Sequence, residues 1–218
     1  NKGIYIGTHI KSIAGVSDRE FQNIEDDIKA VSQKEFAVLD NGVKEKMINE
    51  ITAAKADGDS VGGVLETAVI GLPAGVGEPW FGGVENVLSS ALFSVPAVKG
   101  VEFGAGFALA NMRGSAANDE FFCSGGKITT ATNNNGGING GITNGMPVVF
   151  RCAVKPTPTI HKEQNTVDFI KNENVKIAAG GRHDPCIVHR ARVVIDSITA
   201  IALCDMLAGR FGTDWLGE

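Results

Sequence analysis

The chain has 218 residues and a formal net charge of −5, and its 43% apolar and 21% charged residues are ordinary globular usage. That is enough chain for a proper core in one domain or a small pair, and it excludes disorder over most of the length. With no cluster of Lys or Arg, neither nucleic acid nor an anionic membrane is expected as a partner.

The first residues, Asn1-Lys2-Gly3-Ile4-Tyr5-Ile6, have no signal-peptide pattern and no initiator Met, which reads as a fragment or a processed chain. Ile4, Ile6, Thr8 and Ile10 alternate with Tyr5, Gly7, His9 and Lys11, the period of a half-buried strand. Ser17-Asp18-Arg19-Glu20 has the spacing of a capping box. A helix is expected from about Asp40, with Val43, Met47, Ile48 and Ile51 on one face and Gly58 past its end. Residues 61–70 read as a strand, followed by the turn cluster Gly71-Leu72-Pro73-Ala74-Gly75. Trp80 and Phe81 read as a core anchor or an interface contact rather than a flavin stack.

Val84, Val87, Leu88, Ala91, Leu92 and Val95 give an amphipathic helix over 82–95, stopped by Pro96. Residues 98–107 read as a strand and 111–144, rich in Gly, Asn and Ser, as one long loop. Alternation returns over 147–154 and ends at Lys155-Pro156-Thr157-Pro158-Thr159. The last helix, about 191–207, is apolar nearly all round and is expected to be buried, with Gly209 as its end. Its apolar stretch, 193–208, is interrupted by Asp196 and Asp205 and is too short for a bilayer span of about 20 residues. The four scattered cysteines read as reduced thiols, so the chain is expected to be cytoplasmic. Irregular alternation of strands and helices in a single domain gives the class α+β.

Three segments could carry chemistry. Glycine is frequent, 28 residues where an average share of about 7% would give roughly half that, and four of these fall in the run Asn133-Asn134-Asn135-Gly136-Gly137-Ile138-Asn139-Gly140-Gly141-Ile142. That run is either an anion-binding nest of N–H groups or a set of tight turns between buried elements. Lys155-Pro156-Thr157-Pro158-Thr159 offers a point charge and hydroxyls on a stiff backbone, which suits a phosphate, or else it is an edge-strand exit with a solvated lysine. In Gly180-Gly181-Arg182-His183-Asp184-Pro185-Cys186, Arg182 suits anion capture and Asp184 could act as a base; the alternative is a turn with a local Arg–Asp pair. No second pair with ligand spacing accompanies His183 and Cys186, so no metal is expected. His9, His161 and His189 read as solvated or packing residues.

Seven ordered motifs carry a family resemblance. They are Asp57-Gly58-Asp59-Ser60-Val61-Gly62-Gly63, Gly71-Leu72-Pro73-Ala74-Gly75-Val76-Gly77-Glu78-Pro79, Ala97-Val98-Lys99-Gly100-Val101-Glu102, Met112-Arg113-Gly114-Ser115, the Asn/Gly run, the Lys-Pro-Thr-Pro run, and Gly181-Arg182-His183-Asp184-Pro185-Cys186. In that order they resemble chorismate synthase, over about residues 3–208. The resemblance implies a β-α-β sandwich of antiparallel sheets around a helical layer, assembled as a homotetramer. It implies a lyase of aromatic amino-acid biosynthesis, in the shikimate pathway, that removes phosphate from 5-enolpyruvylshikimate 3-phosphate by 1,4-trans elimination, with reduced FMN as cofactor. Flavin contacts then fall on Ala97 and the position before it, on Gly140, on Lys155, Pro156, Thr157, Pro158 and Thr159, and on Arg182; Asp184 and Arg182 carry the catalytic roles.

Pro96 stands where the family has Asn, which removes a side-chain amide contact. The family's Gly-Glu-Ser-His-Gly and Pro-Gly-His-Ala-Asp motifs, with their two general-acid histidines, and its arginine/serine-rich stretch do not occur here. The chain is therefore expected to be incomplete for turnover, and a non-catalytic flavin- or anion-binding module is the alternative.

Overall fold

The computed structural model describes residues 2–216. Its centre is a five-stranded antiparallel sheet. The first strands are β1 (Tyr5–Ile13), β2 (Val16–Ser17), β3 (Gly63–Ile70) and β4 (Val98–Phe103). Small strands β5 (Phe121–Ser124), β6 (Lys127–Thr130), β7 (Ile138–Asn139) and β8 (Ile142–Thr143) follow, then β9 (Val148–Val154), β10 (Gln164–Asp168) and β11 (Glu173–Ile177). The sheet order is β2-β1-β3-β9-β4, and β5–β6, β7–β8 and β10–β11 are separate two-stranded hairpins. The helices are α1 (Ile24–Ser32), α2 (Asn41–Ala56), α3 (Val84–Phe93), α4 (Gly114–Ala117) and α5 (Val188–Phe211).

One sheet face carries Ile10 and Ile13, Leu65 and Val69, and Phe150, Cys152 and Val154. These bury against Val84, Leu88 and Leu92 of α3 and Val188, Ile195, Leu203 and Leu207 of α5. The other face of β1 is buried as well, because α1 sets Ile28 over Gly7, where a Cβ would come within 2.8 Å of it. β1 is thus covered on both sides, where its alternation predicts one wet face.

α2 begins near Asp40 as expected, with the Asp40 side chain accepting from Gly42 N at 2.7 Å, and Gly58 beyond the helix has φ +68°. The capping box does not form. Ser17 ends β2, and Asp18 turns inward to accept from the N–H groups of Arg19, Leu39 and Asp40. α3 is shorter than its pattern, because Trp80–Gly82 forms a separate 3-10 turn.

Residues 111–144 are not one loop: they hold α4 and two hairpins around the Asp119 carboxylate, which accepts from Thr132 Oγ1 and from Asn134 N and Asn135 N. These hydrogen bonds outweigh burial and lower its pKa. α5 runs on through Gly209 to Gly212, whose φ of +83° ends it. Nor is α5 buried all round. Val193, Val194 and Ile201 are exposed, and Trp80 and Phe81, 80% and 88% exposed, are not core anchors. No helix among the described residues is long and apolar enough to cross a membrane.

Candidate functional site

β9 is an interior strand, flanked by β3 and β4, so Pro156 stops it at the rim of the sheet rather than at an edge. The rim is built from four chain segments. Lys155 N donates to Ala97 O at 2.9 Å, and Ala97 itself has φ +75°. Gly62 approaches so closely that an added Cβ would meet Val154 O and Pro156. Ser60 Oγ donates to Thr157 O at 2.6 Å, and Val61 N donates to Pro185 O at 2.8 Å. Ala97, the 155–159 run and the Arg182–Asp184 turn therefore converge at one end of the sheet.

Beside them lies a hollow of about 200 Å³, lined by Lys55, Asp59, Thr159, His161, Arg182 and Asp184 among others; Ala97, Lys155, Pro156, Thr157 and Pro158 are not in its lining. Its carboxylates are already neutralised. Asp184 pairs with Arg190 Nη1 at 2.8 Å and accepts from Cys186 N, and Asp59 pairs with Lys162 at 2.9 Å. Lys162 also holds Asp57, and these hydrogen bonds raise the lysine's pKa and lower that of Asp59. Arg182 does not form the local pair with Asp184. Among the described residues neither Arg182 nor Lys55 makes an ion pair, and Arg182 is exposed. Thr157 Oγ1 is buried with no hydrogen-bond partner. Uncompensated guanidinium and ammonium groups on the hollow, with an orphaned hydroxyl on the adjoining 155–159 run, fit a phosphate-bearing guest.

Gly140 lies elsewhere. It turns between β7 and β8, and Gly141 next to it accepts from Val84 N at the start of α3, by the Val148 end of β9. β9 has seven residues, so this end is about 20 Å from Lys155. Gly136, Gly137, Gly140 and Gly141 all have positive φ and serve as turns and close contacts: a Cβ on Gly137 would meet Met146 O at 2.8 Å. The nest reading of this run is not supported by that geometry.

The thiol next to the site is inert. Burial raises the pKa of Cys186, and it pushes Cys152 up to about 12. All four cysteines are free of disulfides.

Sequence reasoning missed the residues that brace the hollow, Lys55, Lys162 and His161. It also missed the buried cluster in which His9 Nδ1 meets Asp18 at 3.2 Å and Nε2 meets Glu66 at 2.9 Å. Asp59 stood inside a quoted motif, the one available signal; the others are brought in by contacts far apart in sequence.

The fold is of the α+β class, antiparallel sheets packed with helices, and its interior strand β9 breaks at a Lys-Pro corner on the sheet's rim. The chorismate synthase family model matches residues 1–208, and the chain belongs to that family. It is 50% identical over 171 residues to a chorismate synthase of Thermococcus gammatolerans, covering 78% of this chain and 48% of that protein. It is 44% identical to one from Pyrococcus abyssi, covering 95% of this chain and 57% of the relative. A crystal structure of chorismate synthase superposes with a TM-score of 0.78 at 31% identity, over 96% of this chain and 58% of that one. The chain spans about half the length of the curated relatives it matches.

Proposed function

We propose that this chain supplies the flavin-phosphate rim and a proton-handling carboxylate to a chorismate synthase, a lyase that eliminates phosphate from 5-enolpyruvylshikimate 3-phosphate. The observation that carries the reading is the hollow whose carboxylates are paired while its Arg182 and Lys55 are not, next to a 155–159 run on which Thr157 Oγ1 is orphaned. Lys155 and Thr157 hold the phosphate of FMN, with Ala97 and the stiff Pro156 and Pro158 shaping the wall. Arg182 takes an anionic group of cofactor or substrate in a charge-assisted hydrogen bond. Asp184, steadied by Arg190 and Cys186 N, is positioned to move a proton at its carboxylate oxygen. Reduced FMN held by these residues would supply transient electron donation to the elimination, with no net redox change. The working protein is a cytoplasmic homotetramer, and Gly140 stands apart from the hollow that this chain forms.

Titration of the chain with FMN and with inorganic phosphate tests the reading. Arg182→Ala is expected to weaken binding by about 1.5–3 kcal/mol, the loss of a charged hydrogen bond. Thr157→Val should weaken it too without lowering the unfolding midpoint, since its hydroxyl bonds to nothing within the chain. Gly140→Ala should leave it unchanged. Dissociation constants untouched by Arg182→Ala would remove the assignment.

A further inference from the structure

The sheet face turned away from α5 holds a cavity of about 360 Å³ that the proposed activity does not use. Its floor is Glu66 on β3 and Val149 and Arg151 on β9; Phe21 and Ile24 wall one side and Asn133 the other. Strand register explains the floor. His9 pairs with Glu66, Glu66 with Arg151, and Arg151 with Glu102, so one row across β1, β3, β9 and β4 alternates in charge. Directly opposed residues have Cβ atoms about 4.5–5.5 Å apart, so Glu66 and Arg151 stand side by side on the floor, while their charged heads turn apart, Glu66 to His9 and Arg151 to Glu102.

Both groups keep spare capacity. Glu66 gives Oε2 to His9 at 2.9 Å, and Oε1 has no protein hydrogen bond among the described residues. Arg151 donates Nη2 to Gly104 O at 2.6 Å, and its Nε lies 2.8 Å from Glu102 but off the N–H axis. Its Nη1 comes no closer than 3.9 Å to Glu20. Asn133 donates Nδ2 to Pro147 O at 2.9 Å, while its buried Oδ1 accepts nothing.

We propose that this cavity binds a small zwitterion, a primary ammonium and a carboxylate on one carbon bearing an apolar tail. The ligand's carboxylate takes Arg151 Nη1, its ammonium takes Glu66 Oε1 and Asn133 Oδ1, and its tail lies against Phe21, Ile24 and Val149. A simple anion would meet Glu66 and Glu20, and a simple cation would meet Arg151. A ligand carrying both charges meets each spare floor atom, Arg151 Nη1 and Glu66 Oε1, with a group of the opposite charge.

Calorimetric titration of the full chain with L-leucine, 4-methylpentanoate and 3-methylbutylamine tests this. Leucine is expected to give saturable binding, and each single-charge analogue to bind at least about tenfold more weakly, the scale of one charged hydrogen bond. Ala108→Leu, which fills the cavity from its exposed wall without touching the charges, should abolish leucine binding and leave the melting midpoint and phosphate binding at Arg182 unchanged. Arg151→Met should reduce leucine to the affinity of the amine. Absence of saturable heat at millimolar leucine, equal binding of the three probes, or leucine binding that survives both substitutions overturns the proposal.

Discussion

His9 is fully buried, yet both its ring nitrogens face carboxylates. Burial disfavours its charge, but the hydrogen bonds with Asp18 and Glu66 prevail and raise its pKa above the ordinary value. A cation satisfies both acids, because only the protonated ring donates from both nitrogens. The stability this cluster contributes is therefore complete between the ordinary carboxylate range, about pH 4, and about pH 6.5, the unfolded value of the histidine, and is lost as pH rises through the higher folded value. Urea unfolding across neutral to alkaline pH should show that decline, and His9→Leu should abolish it. The same substitution leaves the Glu66 carboxylate without its hydrogen-bond partner, while Asp18 keeps its three backbone N–H donors, and should cost about 1–3 kcal/mol. Nothing in the order of residues marked His9: its partners are 9 and 57 positions away and reach it only through strand pairing and the turn at Asp18.

Among elements, the rim depends on how closely β3's entry runs beside the end of β9. Gly62→Ala would drive a methyl group into Val154 O and Pro156, both part of rigid backbone. We expect about 1–3 kcal/mol of destabilisation, read from the urea midpoint, together with weaker phosphate binding as the 155–159 run is displaced. The β10–β11 hairpin is at the other extreme. It bears Phe169 and Ile170 at 84% and 86% exposure, and it lies outside the five-stranded sheet. A two-stranded hairpin is marginal alone in water, so its amides should exchange with solvent orders of magnitude faster than those of β3. Equal protection would contradict that picture. Gly140–Gly141 bears out the tight-turn reading of the Asn/Gly run, while Gly125–Gly126 left a signal that went unread; all four are at positive φ, in two-residue turns of the kind that joins antiparallel strands.

For the molecule as a whole, the sheet covers one flank of the α3–α5 layer and leaves an apolar groove on another. Phe81, Val87, Ala91, Ile198 and Ile201 line it, and Ile201 is 65% exposed. Exposed apolar surface of this kind favours association. Sedimentation velocity should show concentration-dependent oligomers, and Phe81→Ser with Ile201→Ser should shift them toward monomer at an unchanged melting midpoint. That α5 is apolar nearly all round was legible, but the expectation that it would be enclosed was not met, since an apolar composition records which residues avoid water and not what arrives to cover them.

From the residue order alone came the α+β class, the strands β1, β3 and β9, the helices α2 and α3, the Lys-Pro corner and the family, because alternation, helical period, caps and ordered motifs are local properties of a chain. Folding decided the rest. It joined Ala97 to Lys155, and the Ser60 loop to Thr157 and Pro185, while it carried Gly140 to the far end of β9. It also freed Arg182 by giving Asp184 to Arg190. These are long-range pairings set by sheet register and helix packing, where two residues become neighbours only after the segments between them have closed.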